Sequence, residues 1–581
     1  MRGAFSTAGA VLVVLCVTVV CVANGFTLRS LAVGAVGEGG DANGGSDCAA
    51  CTIIVGLLEQ KAVVDAKSIE NVLDEVCGFF PAGAVQAACK FLVDTYTPDL
   101  LRLLEEKATP DEVCKEFRMC TGFPECHLYP LPTDKARVTN EVRSELSPRV
   151  AAAYAAGETP IDWLKHLINV VGNLHEPLVD FDDDKFGTES TLRGTSWRGA
   201  DCHDVEADVY PGRAASSHPP TVDHNCNGIL GVNPETGGAW EDELCGGEHA
   251  GLGLIVAGDS VTANFGLPPQ YFNAAHLNGT TFKAKPDVMW RLENEFDHPY
   301  RSWGTGFANV TYHGYPDTVS VYSHMLERNL CMHRDFQNTG VNGARSGAEA
   351  GGSHPLIKDI ARNQKTDKPV LFILDQAGND VCNSRTAVDH MTSAAQFKAN
   401  YLEMLEFLDA TLPAGSHVVL MGLAQGTVLY DTMHNRTHPI GVPYTSVYSF
   451  LNCLQISPCA GWLNTNASIR AATQAHADLL SSTLEALVAN VSGNYANFDM
   501  TYISFSTLIN DLFDTLPPSE HYTLINPVDS FHPAQIAAPV LGRIVWDHIP
   551  DEFKPAVNPN NAKIAALFGD QGGYKFTVGG D

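Results

Sequence analysis

The side chains best placed for chemistry lie in four short blocks. The first is Gly258-Asp259-Ser260, which ends the apolar run 251–257 and precedes Val-Thr-Ala-Asn-Phe265. An apolar run of this kind reads as a buried strand. A serine on the following strand-to-helix turn has its oxygen held out of the sheet. A nucleophilic serine needs a base, an acid that orients the base, and donors for the oxyanion. Asp529-Ser-Phe-His532-Pro supplies the first two, because Asp and His three apart on a turn can touch. His532 is then the base and Asp529 its partner. In Gln376-Ala-Gly378-Asn379-Asp380, the Asn379 side-chain amide can donate to a tetrahedral oxyanion. The glycine-rich turn 338–346 offers a backbone N–H from Gly343, with Gly340 as the alternative, and the Ser260 N–H makes a third donor.

Strands must position these blocks. Runs 254–257, 369–374 and 417–422 are strand-like, and 394–412 and 469–490 are helix-like. Strands separated by helices imply a parallel sheet covered on both faces, with ligands at the carboxyl ends of the strands. In their order, the four blocks resemble the GDSL or SGNH hydrolase family. The resemblance implies an α/β fold with a flavodoxin-like parallel sheet, and ester hydrolysis. It assigns Ser260 as nucleophile, His532 and Asp529 as base and orienter, and Ser260, Gly343 and Asn379 as the oxyanion hole. The family pattern is Gly-x-Asn-Asp, whereas here Gly378 directly precedes Asn379. Asp259 and Asp380 are read as braces of their turns, and His354, His434 and His438 as structural or surface residues.

Upstream, cysteines fall at 48, 51, 77, 89, 114 and 120, with intervening gaps of 2, 25, 11, 24 and 5 residues. Between them, Ile53, Ile54, Leu57 and Leu58 share a helical face, as do Ile69, Val72, Leu73 and Val76. Thr109-Pro-Asp111 starts another helix. A small helical domain with six cysteines is stapled because its own core is small. All five gaps resemble the saposin B family. That resemblance implies an all-α domain over 48–126, a clamshell for lipid, and the pairs Cys48–Cys120, Cys51–Cys114 and Cys77–Cys89.

Residues 180–245 are rich in oxygen ligands. Asp180, Asp182 and Asp184 are followed by Asp201 and Asp204, then by Asp223, Asn225 and Asn227, with Asp208, Glu241 and Asp242 as further candidates. Carboxylates this dense repel one another without a cation, and calcium takes six to eight such oxygens. A structural Ca2+ is expected, with Cys202–Cys226 stapling the two halves. His203 and His224 are read as bystanders. No organic cofactor is expected.

The net charge of -30 excludes a nucleic-acid partner, which needs a basic face. Residues 1–25 read as a secretory signal and 26–47 as a disordered leader or propeptide. Two cysteines leave with the signal, and the remaining 14 of 16 suit an oxidising, secreted or lysosomal route. Sequons at Asn278, Asn309, Asn435, Asn466 and Asn490 fit that route. Residues 127–179 form a connector with 143–149 as a candidate processing site. Residues 246–550 form the hydrolase domain, and 551–581 a C-terminal tail. This module order resembles the acyloxyacyl hydrolase family. The resemblance implies removal of secondary fatty acyl chains from the lipid A of bacterial lipopolysaccharide, lipid-aggregate contact through the saposin module, and cleavage into two disulfide-linked chains. Cys126 would supply one end of that link and Cys453 the other, with Cys459 as the alternative; the pairing among Cys245, Cys331, Cys382 and Cys459 stays open. A broader lipase or phospholipase, and an inert lipid-transfer protein, are the alternative functions. Arg345 is a candidate for meeting lipid phosphates.

Overall fold

The structure is a computed structural model and describes residues 42–574 except 79–96, 130–174, 308–317, 348–356 and several shorter stretches. The signal, most of the leader, Cys89, the candidate processing site, Asn309 and His354 lie outside the described residues. Among the described residues no helix is long and apolar enough to cross a membrane.

Helix α1 spans Gly45–Asp65, α2 Ile69–Gly78 and α3 Pro110–Glu116. Thr109 caps α3 in a box with Glu112, and Pro110 fills the first position, where its missing N–H costs nothing. Cys51–Cys114 staples α1 to α3, and Cys48–Cys120 staples it to the chain just after α3. Cys77 is also disulfide-bonded. The domain begins earlier than expected. Asn43 accepts from the Thr121 N–H through its backbone oxygen, and Ser46 is fully buried.

Five strands follow: β1 Gly253–Gly258, β2 Phe336–Asn338, β3 Val370–Asp375, β4 Ser416–Met421 and β5 Phe498–Ile503. All pair in parallel, in the order β2-β1-β3-β4-β5. The period of two along each strand divides its side chains between two cores. Leu254, Val256, Leu371, Ile373 and Val419 meet α4 (Val321–Arg328), α5 (Phe505–Asp514) and α6 (Ala538–His548) on one face. Ile255, Phe372, Leu374 and Val418 meet helices Ala394–Thr411 and Ala467–Val491 on the other. The N-terminal helical module and the sheet domain share a third core. Ile53, Leu57, Val113 and Phe117 join Phe265, Phe282, Ile440, Phe450 and Val528 there, and Cys126–Cys453 locks the contact. The open pairings resolve as Cys245–Cys331 and Cys382–Cys459, and Cys202–Cys226 forms as expected.

Two strands escape the sequence pattern. β2 has three residues, two of them polar, and β5 is Phe-Asp-Met-Thr-Tyr-Ile at the opposite edge. Residues 551–574, set apart as a tail by the sequence, fold back onto the acidic segment. Helix Asn561–Phe568 buries Ile564 beside Ile229, Leu244 and the Cys245–Cys331 disulfide.

Gly258 closes β1 where β3 runs alongside. A Cβ there would collide with the Asp375 carbonyl and the Thr262 hydroxyl. Overpacking a tight site costs about 1–3 kcal/mol. Gly258→Ala is therefore expected to lower the apparent Tm and to reduce activity; an unchanged thermal scan contradicts this close packing.

Candidate functional site

The chain leaves β1 at Gly258 and turns at Asp259, which caps a short helix beginning at Ser260 by accepting the Val261 N–H at 2.9 Å. The turn sits at the carboxyl end of the sheet, where parallel strands leave room for a ligand. Ser260 is 5% exposed. Its Oγ lies 2.7 Å from His532 Nε2. His532 Nδ1 lies 2.9 Å from Asp529 Oδ2, while Asp529 Oδ1 accepts the Phe531 and His532 N–H groups at 2.9 and 3.0 Å. Ser530 takes a left-handed backbone, φ 52°, which lets Asp529 and His532 meet across three residues. With Nδ1 keeping its proton and donating to Asp529 Oδ2, Nε2 is left to accept the serine hydroxyl. Phe265 and Phe531 flank the imidazole, with ring centroids at 4.7 and 5.0 Å.

Asn379 reaches the same place. Its Nδ2 donates to Asp259 Oδ2 at 3.1 Å, which orients the amide. Gly378 directly precedes it because the indole of Trp462 lies against this glycine; a Cβ there would come 3.0 Å from Cζ3. Burial pushes the Asp259 carboxyl up, against the pull of the Val261 N–H and of His532. Asp375, at the end of β3, is driven well above the usual carboxylate range by burial and by the charge of Asp259. Asp380 ties its turn to the one after β2 by accepting both the backbone N–H and the hydroxyl of Ser346.

The turn after β2 lies against β1, with the Thr339 and Val341 N–H groups donating to Val256 and Gly258 oxygens. Ala344 closes it onto Val341, and Gly343 takes φ 73° at the position where such a turn favours glycine. Both Gly340 and Gly343 thus stand at the Ser260 end of the sheet. Arg345 is half-buried, and Asp380 is the charge that opposes the lowering effect of its burial.

Ser260, Asn379 and His532 border an apolar cavity. Its walls are Val428, Leu429, Trp462, Ile509, Leu512 and Phe513, among others. Sequence reasoning missed this cavity. The signal was present in 505–513, where Phe505, Leu508, Ile509, Leu512 and Phe513 repeat at helical spacing.

The acidic segment divides in two. Asp180, Asp182 and Asp204 converge, as do Asp182, Asp184 and Asp201, each set with oxygens within 4.8 Å of one another. Both Asp182 oxygens and one oxygen each of Asp184 and Asp201 are buried without a hydrogen-bond partner. Asp184 is pushed up to about 8 and Asp201 to about 6, by burial first and then by neighbouring carboxylates. Unpaired buried carboxylates of this kind fit a hard cation. Asp223 is not in these carboxylate sets, and Asn225 and Asn227 have partners of their own. The Asn225 and Asn227 amides donate to Glu241 at 2.7 and 2.9 Å, and Lys368 lies 3.6 Å from the same carboxylate. Their carbonyl oxygens accept the Asn227 and Ile229 N–H groups, so this second knot is largely satisfied by protein atoms. His203 and His224 are in neither cluster.

His438 has a larger role than a surface residue. It is 2% exposed, its Nε2 donates to the Val528 carbonyl at 2.6 Å, and its Nδ1 accepts the Ile440 N–H. Gln60 of α1 donates to the Ile440 carbonyl at 2.8 Å. One polar path therefore joins the saposin module to the loop carrying Asp529.

Comparison with known proteins places these features in families. A model described as GDSL-like lipase/acylhydrolase matches residues 254–545, and one described as saposin-like domain matches 47–160. The acyloxyacyl hydrolase of Mus musculus is 35% identical over 552 residues, 91% of this chain and 94% of that protein. The acyloxyacyl hydrolase of Oryctolagus cuniculus is 36% identical over 550 residues, 91% and 93% of the two chains. Proactivator polypeptide-like 1 of Homo sapiens is 36% identical over 78 residues, 13% of this chain and 15% of that protein.

Removing the His438 imidazole leaves the buried Val528 carbonyl without its donor. Such a loss costs about 1–3 kcal/mol. His438→Ala is expected to lower the free energy of unfolding by that amount, read as a lower denaturant midpoint, and an unshifted midpoint contradicts the link.

Proposed function

The chain belongs to the acyloxyacyl hydrolase family and is a lipid-ester hydrolase, and from that premise we propose that Ser260 removes secondary fatty acyl chains from the lipid A of lipopolysaccharide. The observation that carries the mechanism is the continuous line Asp529–His532–Ser260, with contacts of 2.9 and 2.7 Å. Ser260 Oγ attacks the acyl carbonyl while His532 Nε2 takes its proton. The carbonyl oxygen gains charge and is met by the Ser260 and Gly343 N–H groups and the Asn379 amide. The carbonyl re-forms, the ester C–O bond breaks, and His532 protonates the departing hydroxyacyl oxygen. Water, deprotonated by His532, then cleaves the acyl-serine ester and frees the fatty acid.

The cavity beside Ser260 suits one acyl chain, since its wall is largely apolar and it reaches Ser260, Asn379 and His532. The saposin module shares a core with the hydrolase, so chains sheltered by the one lie next to the other. The disulfide-rich fold, the sequons and the resemblance of the N-terminal module to saposins support a secreted or lysosomal route. Asn435, Asn466 and Asn490 are exposed and can carry glycans. If the connector is cut, Cys126–Cys453 holds the two pieces together.

Ser260→Ala is expected to abolish fatty-acid release from lipopolysaccharide, read by mass spectrometry, while the thermal transition is preserved. Residual turnover in that variant overturns the assignment. Equal release from phospholipid micelles by the intact protein points instead to a broad lipase.

For the acidic cluster, Asp180, Asp182, Asp184, Asp201 and Asp204 would hold Ca2+, which supplies structural charge neutralisation. Without the ion, Asp184 and Asp201 titrate at higher pH than in an unfolded chain. The fold then binds more protons than the unfolded state, so its stability falls as pH rises from about 4 through about 8. Calcium replaces those protons. The Tm gap between calcium and chelator is therefore expected to widen from pH 5 to pH 8; a gap that is absent or narrows contradicts the site.

A further inference from the structure

The acidic segment touches the catalytic end of the sheet through one side chain. Residues 187–190 and 193–201 belong to a loop closed at its neck, where the Asp201 N–H donates to the Gly187 oxygen at 3.1 Å. Higher up, the Thr195 N–H donates to the Glu189 oxygen and the Ser196 hydroxyl to the Ser190 oxygen. Asp184 and Asp201 stand at or beside the neck, and Arg193 is on the far part of the loop. The returning strand of the loop runs along β2: the Gly199 N–H donates to Phe336, and the Asn338 N–H donates to Trp197.

Arg193 is 6% exposed and has φ 68°, a backbone region that non-glycine residues keep only when their surroundings demand it. Its Nη1 donates to the Gly340 carbonyl at 2.7 Å. Its guanidinium lies 3.8 Å over the Trp197 ring, and its Nη2 is 3.7 Å from Glu295 Oε2. Gly340 is tightly placed, since a Cβ there would come 2.7 Å from the Ala263 nitrogen in the helix that Ser260 begins. Asn338 ties the same turn to that helix through the Thr262 oxygen, and Asn342 donates to buried Asp297 at 3.2 Å. Among these contacts on the turn that leads to Gly343, the Arg193 guanidinium is the one that fixes the Gly340 carbonyl.

We propose that Arg193 is a positioning residue for the hydrolytic reaction, its guanidinium fixing the Gly340 carbonyl and so the turn that presents the Gly343 N–H to the substrate oxygen. The proposal rests on the reading of Ser260 as nucleophile and Gly343 as an oxyanion donor. A planar fork stacked on an indole suits this task better than a flexible ammonium. Because the loop neck carries the cation-binding carboxylates, the proposal also places the ion where it steadies Arg193.

The test uses the full chain with Arg193→Met and Arg193→Lys. Arg193→Met is expected to lower kcat roughly 10- to 100-fold, the effect of a group displaced by about 1 Å, with KM nearly unchanged. It is expected to slow fluorophosphonate labelling of Ser260 in proportion, because the phosphonyl oxygen uses the same donors. Hydrogen exchange should quicken in 338–344 and not in β3 or β4, and chelation should quicken the same peptide in the wild type. Arg193→Lys should recover part of kcat. A raised KM with intact kcat, unaltered labelling, or exchange that rises throughout the domain overturns the proposal. A Ser260→Ala protein that still turns over defeats the underlying reading separately, whatever Arg193→Met does.

Discussion

The Asp259 carboxylate is almost wholly enclosed, and an enclosed carboxylate persists only if its oxygens are satisfied. One oxygen takes the Val261 N–H and so starts the helix that begins with Ser260. The other takes the Asn379 amide. The first contact sets where the serine stands, and the second sets where the amide points. Gly258 is confined beneath them by the Asp375 carbonyl, so the turn has little room to shift. The sheet serves this arrangement. Its five parallel strands are covered by helices on both faces, which leaves their carboxyl ends as the place where polar groups can gather.

The loop holding Asp529 and His532 depends on a different support. Asn526 shapes it from within by accepting the Val528 N–H and donating to the Leu267 carbonyl. His438 and Tyr444 hold it from outside through the Val528 and Pro527 carbonyls. Ile440 and Val442, around His438, belong to the core shared with α1 of the saposin module. The module therefore does more than sit beside the hydrolase. Its docking face helps to define the loop from which His532 and Asp529 project.

Much of the site was legible because its contacts are local or sit at recognisable turns. Asp529 and His532 meet at a separation of three, and Ser260 follows directly from a six-residue apolar strand. The saposin spacing named its pairs through the resemblance. Other features had no local signature. β2 carries Phe-Gln-Asn, too short and too polar for an alternation to show, and its place beside β1 comes from a crossover of some eighty residues. Cys245–Cys331 and Cys382–Cys459 close loops that sequence alone leaves interchangeable. In the acidic segment, eight oxygen-bearing residues looked like one set. The Glu241 carboxylate, with Lys368 beside it, draws Asn225 and Asn227 into a separate knot. Arg193 gave no signal, since its partner is a backbone oxygen 147 residues away.

The charge pattern bears on how a lipid reaches Ser260. With a net charge of -30, long-range attraction cannot draw anionic lipid to this surface. The pull must come from apolar contact, which is worth roughly 0.8 kcal/mol for each buried CH₂. Yet a chain leaving an aggregate gives up the same burial that it regains in the cavity, so chain transfer is nearly balanced. Length alone then tells one acylated lipid from another only weakly. On the proposed function, discrimination would arise beside Ser260, where the reacting carbonyl would meet oriented donors. The parts that would most influence the outcome are then the polar ones that fix those donors, Asp259 for Asn379 and the anchored turn for Gly343. The apolar wall would hold the chain, and the polar frame would decide whether the held chain reacts.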